Sequence, residues 1–259
     1  MPAIKISDTV YSVGVKHPDL KVFDLLMPLP HGTTYNSFLV KGEKNAVIDT
    51  VKLKFFDEFV ENLRQVIAPS KIDYIVIQHN ELDHAGSLLK LLELAPGAKV
   101  VISKAAENFL NNSFNSKLDI IKADDTTEIK LGPSQTLKFI SAPFLHWPDT
   151  MFTYYAEEKS LFTCDAFGAH YCQQNGIYSG DMDRAEYDGD YFGQFKIYYE
   201  IIMRVYSTKV VAACEKIKNL PIDLLLPSHG PLINADIARH IKYYRSEERR
   251  VGKECRSRW

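Results

Sequence analysis

The sequence predicts an α+β fold, a four-layer αββα sandwich in which two β-sheets pack face to face between outer helices. Two blocks of short apolar or alternating runs, typical of β-strands, are each followed by runs with helical periodicity. This order favours a sandwich over an alternating parallel βαβ sheet, because each set of helices can cover the outer face of one sheet. No internal stretch rich in Gly, Pro or Ser divides the chain, so we expect residues 1–244 to form one domain.

The first block opens with a predicted meander of antiparallel strands. The strand-like runs are VYSVGV, LKVFDLL, YNSFLV and NAVIDT, with the turn-forming KGEK between the last two. Apolar residues then recur at helical spacing in LKFFDEFVENLRQVI, and IDYIVIQ follows as a buried strand. A helix over residues 87–94, the strand AKVVIS and a helix over residues 104–114 repeat that order.

The second block returns to short strands before it ends in helices. Its strand-like runs are LDIIK, TEIKL, QTLKFI, TMFTYY and SLFT. We expect a long helix over residues 191–218, one more apolar strand in IDLLL, and a final helix over residues 235–244. These helices would cover the outer face of the second sheet.

Composition and charge argue against several classes of protein. Lys and Arg number 31 against 33 Asp and Glu, a net charge of -2, so nothing indicates a nucleic-acid partner. No apolar run approaches the roughly 20 residues needed to span a bilayer, and the first residues, MPAIKISDTV, do not have the pattern of a secretion signal. The four cysteines show no close pairing. We therefore expect a cytoplasmic protein with no membrane partner.

The end of the chain differs from the rest. The last 15 residues, RSEERRVGKECRSRW, include six basic and three acidic residues and almost no apolar ones. The peptide resembles the translation of a sequencing adapter, so we expect residues 245–259 to be a non-native tail and the natural chain to continue differently past Tyr244. A disordered basic tail is the alternative.

The segment most informative about function lies just after the predicted strand IDYIVIQ. Four side chains able to bind a metal fall within six positions there: His79, Glu81, Asp83 and His84. Residues 79, 81 and 83 would share one side of an extended chain, and a turn would bring residue 84 back towards them. The alternative interpretation is a polar loop with a helix-capping aspartate.

Three further candidates follow other strand-like runs. They are His146 in FLHWPDT, Asp165 in LFTCDAFG and His229 in LLLPSHG. Loops at one end of a sandwich lie close together, so we expect all these side chains to meet at one rim. A single histidine at such a position is more often structural, but the recurrence at strand ends favours a metal centre.

These motifs resemble the metallo-β-lactamase superfamily, and within it the flavodiiron proteins, also called A-type flavoproteins. The segments MPLPHGTTYNSFLV, IVIQHNELDHAGS, APFLHWPDTMFTYY, CDAFGAHY and LLPSHGP carry the resemblance, which extends from about Val10 to Pro231. It implies the metallo-β-lactamase fold and a centre of two iron ions. The ligands that it implies are His79, Glu81 and His146 for one iron, Asp83, His84 and His229 for the other, and Asp165 as the bridge. Some relatives leave the histidine at the position of His84 off the metal.

Glu81 is the clearest departure from the zinc hydrolases of this superfamily, which have a second histidine at that position. A carboxylate in place of an imidazole makes the site richer in oxygen, which suits iron or manganese better than zinc. Two alternatives stay open at this point. One is a hydrolase on the same fold, and the other is a non-catalytic diiron sensor that binds O2.

The resemblance also implies a reaction and its partners. Members of the family reduce O2 to water, NO to N2O, or both, with electrons from FMN on a flavodoxin-like domain that follows the diiron domain. We expect that domain and its FMN to be missing from this chain. A rubredoxin-like or other small redox donor and a head-to-tail homodimer, or a dimer of dimers, are implied as well.

Tyr198 and Tyr199 resemble family tyrosines near the iron pocket. We take Tyr199 as the candidate that faces the substrate, with core packing as the alternative.

Overall fold

Two β-sheets face each other in the computed structural model, which describes residues 2–23, 27–107, 109–110 and 118–256, with residues 247–256 described by their backbone alone. The strands are β1 (Ile4–Lys5), β2 (Val10–Ser12), β3 (Val15–His17), β4 (Val22–Phe23), β5 (Met27–Pro28), β6 (Thr33–Tyr35), β7 (Phe38–Val40), β8 (Asn45–Ile48), β9 (Ile72–Ile77), β10 (Lys99–Ser103), β11 (Ile120–Ala123), β12 (Glu128–Gly132), β13 (Gln135–Ser141), β14 (Met151–Tyr155), β15 (Ser160–Cys164) and β16 (Leu224–Pro227).

The two sheets differ in size and in pairing. The first has seven strands in the order β1-β2-β7-β8-β9-β10-β11, and the second has five in the order β12-β13-β14-β15-β16. Strands β8 to β11 pair in parallel, as do β15 and β16, whereas the other neighbours in the two sheets are antiparallel. The predicted meander is therefore only the first part of the first sheet, and β3–β6 and β4–β5 form separate two-stranded ribbons.

Alternate residues of the inner strands point to opposite faces, and both faces are buried. Ala46, Ile48 and Val76 of β8 and β9 lie in the apolar core between the sheets. Val47 and Ile75 of the same strands belong to a second core, which includes the neighbouring helices. Because both faces are covered, the strands have nearly continuous apolar sequences.

Helices cover the outer face of each sheet, which confirms the predicted αββα class. The α-helices are Phe56–Arg64, Leu88–Leu94, Arg184–Glu186, Phe192–Tyr198, Ser207–Ile217 and Ile237–Arg256. Short 3-10 turns occupy Leu53–Phe55, Pro69–Lys71, Ala156–Glu158, Ser179–Asp181 and Arg204–Tyr206. No helix in the described ranges is long and apolar enough to cross a membrane.

Several predicted helices have different bounds in the structure. The helix expected over residues 191–218 is interrupted, because wide π turns occupy Tyr187–Tyr191 and Tyr199–Met203. A π turn adds one residue to the helical turn, so the buried face shifts along the segment. The helix expected over residues 104–114 falls partly outside the described residues. Within it, residues 106–107 and 109–110 are helical.

The last helix continues past the predicted boundary at Tyr244, through Arg256. Tyr244 is fully buried, its ring stacks on Phe167 with centroids 4.3 Å apart, and its hydroxyl accepts a 2.7 Å hydrogen bond from the Phe167 amide. Arg245 pairs with Glu215 at 2.7 Å on the surface. The helix is thus anchored as far as Tyr244, and a non-native origin of residues 245–259 stays a prediction.

Removing residues 247–259 should leave thermal stability almost unchanged, because this run lacks the apolar residues that a buried helix face requires. We expect the Tm to move by less than about 2 °C. Tyr244→Ala is the contrasting variant, since losing a buried aromatic side chain costs about 3–5 kcal/mol. Thermal unfolding followed by circular dichroism compares the two. If truncation lowered the Tm by much more than about 2 °C, the segment would have to pack on the domain.

His240 should make the fold sensitive to acid. Its Nδ1 donates to the Asp236 carbonyl at 3.0 Å and its Nε2 accepts from the Tyr191 hydroxyl at 3.1 Å. Burial lowers the pKa of His240 to about 4, below the ordinary value of 6.5. Between pH 6.5 and 4 the unfolded chain therefore binds a proton that the folded chain does not, so this contribution is complete above pH 6.5 and is lost as the pH falls to 4.

The measurement is the free energy of unfolding by urea at pH 7 and at pH 4, for the unaltered chain and for His240→Gln. The glutamine does not titrate, so the difference in stability between the two chains should shrink by up to about 3 kcal/mol at the lower pH. Other titrating groups act on both chains and cancel in the comparison. An equal difference at both pH values would contradict the assigned role of His240.

Candidate metal centre

The loops that follow β9, β13, β15 and β16 meet at one rim of the sandwich. Strands β13, β15 and β16 run in the same direction, so their carboxyl ends lie at one edge of the second sheet. The loop after β9 joins that edge through a 3.0 Å hydrogen bond from the Met151 amide to the Gln78 carbonyl. All seven predicted side chains lie at this rim and fall into two groups.

The first group contains His79, Glu81, His146 and one oxygen of Asp165. Glu81 Oε2 lies 3.2 Å from His79 Nε2 and 3.3 Å from His146 Nε2. Asp165 Oδ2 lies 3.7 Å from His146 Nε2 and 4.0 Å from His79 Nε2. Four potential ligand atoms thus point at one small volume.

The second group contains Asp83, His84, His229 and the other oxygen of Asp165. Asp165 Oδ1 lies 3.2 Å from His84 Nε2 and 3.4 Å from His229 Nε2. Asp83 lies 3.3 Å from His229 and 3.5 Å from His84, measured from different carboxylate oxygens. Asp165 therefore stands between the groups and presents one oxygen to each.

The spacing and an unpaired oxygen fit metal ions. Two ligand atoms that are each about 2.1 Å from one metal cannot be more than about 4.2 Å apart, and the distances above, from 3.2 to 4.0 Å, satisfy this limit. Asp83 Oδ1 is buried and has no hydrogen-bond partner among the described residues. This atom faces the second group, where a bound cation would satisfy it.

The carboxylates give this rim a strong preference for positive charge. Burial alone would lower the pKa of His79, but hydrogen bonds to Asp149 and Glu81 outweigh it and raise the pKa to about 10. Burial is likewise outweighed at His229, where Asp165 and Asp83 raise the pKa to about 10.

The remaining members of the groups follow the same electrostatics. The pKa of His84 rises to about 8, because Asp165 and Asp83 outweigh its burial. Burial raises the pKa of Glu81, but His146 and His79 more than compensate and hold it at about 2. Asp83 and Asp165 also have pKa values below their ordinary range, since neighbouring histidines outweigh burial. The rim thus holds ionised carboxylates that need cations close by.

A further buried carboxylate, Asp49 at the end of β8, ties the rim loops together. It accepts hydrogen bonds from the Gln78 amide at 2.8 Å, the Gln78 side chain at 3.1 Å and the Ser228 hydroxyl at 3.1 Å. Gln78 and Ser228 immediately precede the candidate ligands His79 and His229. Asp49, His84 and Cys164 could also be grouped as metal ligands, but burial raises the pKa of the Cys164 thiol, which disfavours the thiolate that a metal requires.

The structure places Tyr199 in the apolar core and its neighbour Tyr198 at the rim. Tyr199 is fully buried, with its ring against Tyr243 and Tyr244 at centroid distances of 5.4 and 4.8 Å, which agrees with the core-packing alternative. Tyr198 instead donates its hydroxyl to Asp165 Oδ1 at 3.0 Å. A π turn begins at Tyr199 and departs from the regular helical period. Helical spacing in the sequence therefore could not tell which of the two tyrosines faces the rim.

Two carboxylates at the rim were not anticipated from the sequence. Asp149 bonds to the His79 ring at 3.1 Å, and Asp49 forms the network described above. A signal for each exists: Asp149 lies three positions after His146, and Asp49 ends the apolar run NAVID. Neither lies in a spacing that by itself indicates a contact to a ligand.

A cavity of about 320 Å³ opens onto both groups. Its lining combines the candidate ligands with apolar side chains: Phe23, Met27, Glu81, Asp83, His146, Asp165, Tyr198, Ile201, Ile202, Val205, Tyr206 and His229. A second cavity, of about 460 Å³, reaches His79 and Glu81 from the side of Leu82, Phe109 and Trp147. The candidate centre therefore borders two cavities large enough for small molecules.

Comparison with known proteins gives a consistent result. A family model described as "ODP family beta lactamase" matches residues 33–230. The flavo-diiron protein FprA2 of Clostridium acetobutylicum is 44% identical over 239 residues, which cover 91% of this chain and 58% of that protein. A putative diflavin flavoprotein A 1 of a Nostoc species is 37% identical over 246 residues, covering 94% of this chain and 41% of that protein.

Solved structures agree with the sequence relatives. The flavodiiron protein from Giardia intestinalis has a TM-score of 0.89 and 30% identity, with 95% of this chain and 59% of that chain covered. The rubredoxin oxygen:oxidoreductase from Desulfovibrio gigas also has a TM-score of 0.89 and 30% identity, with 94% and 61% covered. The chain thus spans between two fifths and three fifths of the length of these proteins.

Proposed function

Since the chain belongs to the flavodiiron proteins, within the ODP family of β-lactamase-like proteins, we propose that its rim binds two iron ions and reduces O2 to water, NO to N2O, or both. The observation that carries the proposal is the position of Asp165. Its two carboxylate oxygens face two separate groups of ligands, at 3.2 Å from His84 and 3.7 Å from His146. A carboxylate so placed is suited to bridge two metal ions.

We assign the ligands by these two groups. His79, Glu81 and His146 would hold one iron, Asp83, His84 and His229 would hold the other, and Asp165 would serve both. The proximity of His84 Nε2 to Asp165 and Asp83, at 3.2 and 3.5 Å, supports including His84 as a ligand.

The donor set favours iron over zinc. Three carboxylates among the seven candidates make the centre rich in oxygen, and Glu81 lies between two histidines of the first group at 3.2 and 3.3 Å. This geometry argues against the alternative of a zinc hydrolase, whose sites are built mainly from nitrogen ligands. A non-catalytic O2 sensor would use the same metal ligands. It would differ from a reductase in having no continuing supply of electrons.

The cavity beside the rim suits small uncharged substrates. Two ferrous ions held side by side would supply electrons to a diatomic molecule bound next to them. Ile201, Ile202 and Val205 add apolar side chains to the lining of this cavity, which is compatible with a small uncharged molecule such as O2 or NO. Tyr198 donates to Asp165 at 3.0 Å and so holds the orientation of the carboxylate between the two groups.

We further propose that electrons come from FMN on a flavodoxin-like domain that is not among these 259 residues. The chain spans 58% of the Clostridium relative and 61% of the Desulfovibrio structure, so much of each of those proteins has no counterpart here. The Desulfovibrio protein is named for rubredoxin, which supports a rubredoxin-like donor for the complete protein. A head-to-tail homodimer would let the flavin domain of one subunit serve the irons of the other.

Asp165→Ala should abolish binding of both irons, because one carboxylate serves the two groups. Glu81→Gln is the matched variant, since it changes a carboxylate that contacts only the first group, and it should weaken one iron alone. Iron is counted per chain by elemental analysis after anaerobic loading and desalting. Loss of only one iron in Asp165→Ala would show that this residue is not the bridge, and stoichiometric zinc after iron-replete expression would argue against the oxidoreductase.

If the FMN domain supplies the electrons, the 259-residue chain by itself should not sustain turnover. With its irons chemically reduced, the chain would hold two electrons, one per iron. These suffice to couple two NO to one N2O but are half of the four that O2 needs to reach water, so the chain should consume at most two NO or one O2 and then stop. Addition of a reduced FMN-loaded flavodoxin domain from a close relative, which supplies the missing electrons, should allow repeated consumption. An oxygen or NO electrode records the amount consumed per chain. Repeated turnover of the chain with NADH and a generic reductase, at the rate seen with the flavodoxin domain, would refute the proposed electron path.

A further inference from the structure

We propose that Asp149 is a positioning residue that holds His79 ready to bind metal and thereby sets the affinity of the first group, independently of the second. This inference rests on the proposed dinuclear site. Asp149 is outside the seven predicted ligands and is 1% exposed. It lies in the loop between β13 and β14, three positions after His146, and its contact is with the loop after β9.

Both oxygens of Asp149 are used on adjacent residues. Oδ1 lies 3.1 Å from His79 Nδ1, and Oδ2 accepts a 2.8 Å hydrogen bond from the backbone amide of Asn80. The carboxylate therefore fixes the ring and the backbone immediately after it. Because Asp149 and His146 share a loop, the same contact also links two ligands of the first group.

The contact determines which nitrogen of His79 faces the metal. A neutral imidazole has one N–H donor and one acceptor nitrogen. Because Nδ1 faces the Asp149 carboxylate, the hydrogen of the neutral ring belongs on Nδ1, and a metal that displaces the proton from Nε2 would find the lone pair there. Nε2 is the atom that lies 3.2 Å from Glu81, inside the first group. A carboxylate partner also makes the imidazole a stronger ligand.

The second group is supported differently. His229 Nδ1 donates to the Thr34 carbonyl at 2.7 Å, which is a neutral acceptor. His84 Nδ1 lies 4.0 Å from Asp49, beyond hydrogen-bond distance. Among the described residues, Asp149 is thus the carboxylate outside the seven candidates that is hydrogen-bonded to the ring of one of them.

The first group of ligands is more exposed to solvent than the second, so its metal binding should depend more on the contact of Asp149 with His79. The side chains of Glu81 and His146 are 31% and 24% exposed, whereas those of Asp83, His84 and His229 are each 2% exposed. A metal in the first group can exchange with solvent more readily, and His79 is the buried histidine of that group, at 2% exposed. Loosening His79 should therefore release the first metal before the second.

The test is a titration of the metal-free 259-residue chain with Mn²⁺, followed by electron paramagnetic resonance, for the unaltered chain and Asp149→Asn. The two donors contact different oxygens of Asp149, and asparagine has a donating NH2 in place of one of them, so the amide can accept from His79 or from Asn80 but not from both. We expect the unaltered chain to bind two Mn²⁺ with a coupled spectrum. In Asp149→Asn one Mn²⁺ should bind as before with an uncoupled spectrum, and the other about 10- to 100-fold more weakly.

Asp73→Asn is the matched control. Asp73 stands near the start of β9, and its carboxylate accepts a 2.8 Å hydrogen bond from the Asn45 amide, far along the strand from His79. The same chemical change there should leave both Mn²⁺ affinities unaltered. A loss of affinity in this control equal to that in Asp149→Asn would overturn the specific role of Asp149.

The remaining outcomes separate the inference from the function on which it rests. Fewer than two Mn²⁺ in the unaltered chain would refute the dinuclear site itself. Two Mn²⁺ in the unaltered chain and unchanged or equally weakened binding of both in Asp149→Asn would refute the positioning role alone. Circular dichroism checks folding, and Asp149→Ser replaces the asparagine variant if that one does not fold. If neither variant folds, Asp149 is a residue of general stability and the proposal is wrong.

Discussion

The rim of the sandwich is organised by the need to compensate buried negative charge. The side chains of Asp83 and Asp165 are each 2% exposed, and an ionised carboxylate in such a place is costly unless cations or hydrogen-bond donors surround it. Four histidines and the hydroxyl of Tyr198 converge on these two side chains and Glu81. Divalent cations are the counter-ions that this mixture of carboxylate oxygen and imidazole nitrogen accommodates best.

Such a site needs a rigid frame, and the sandwich provides it by joining loops from both sheets. Asp49 directly follows β8 of the first sheet. It accepts hydrogen bonds from Gln78, which follows β9 of the same sheet, and from Ser228, which follows β16 of the second. The Met151 amide makes another link between the sheets through the Gln78 carbonyl. The apolar core between the sheets therefore holds the strand ends in register, and these polar contacts hold the loops on top of them.

The two metal groups are chemically similar but sit in different environments. The second group is almost sealed from solvent, while the first is partly open through Glu81 and His146. Both border a cavity that combines candidate ligands with apolar side chains. Small molecules can thus approach the open group, while the second group, which shares Asp165 with it, stays closed to solvent.

The sequence alone was enough to predict the αββα class and to identify all seven side chains that meet at the rim. Apolar runs mark strands, and the candidates lie in the loops one to seven positions after a strand end, so both kinds of information are local. What required the tertiary structure was which oxygen of Asp165 faces which group, that Tyr198 and not Tyr199 contacts it, and that Asp49 and Asp149 support the ligands. These contacts join residues far apart in the chain, 70 positions for His79 and Asp149 and 179 for Asp49 and Ser228. Periodicity and spacing describe the direction of a side chain within its own element, whereas the partner at such a separation depends on how the loops of two sheets are packed together.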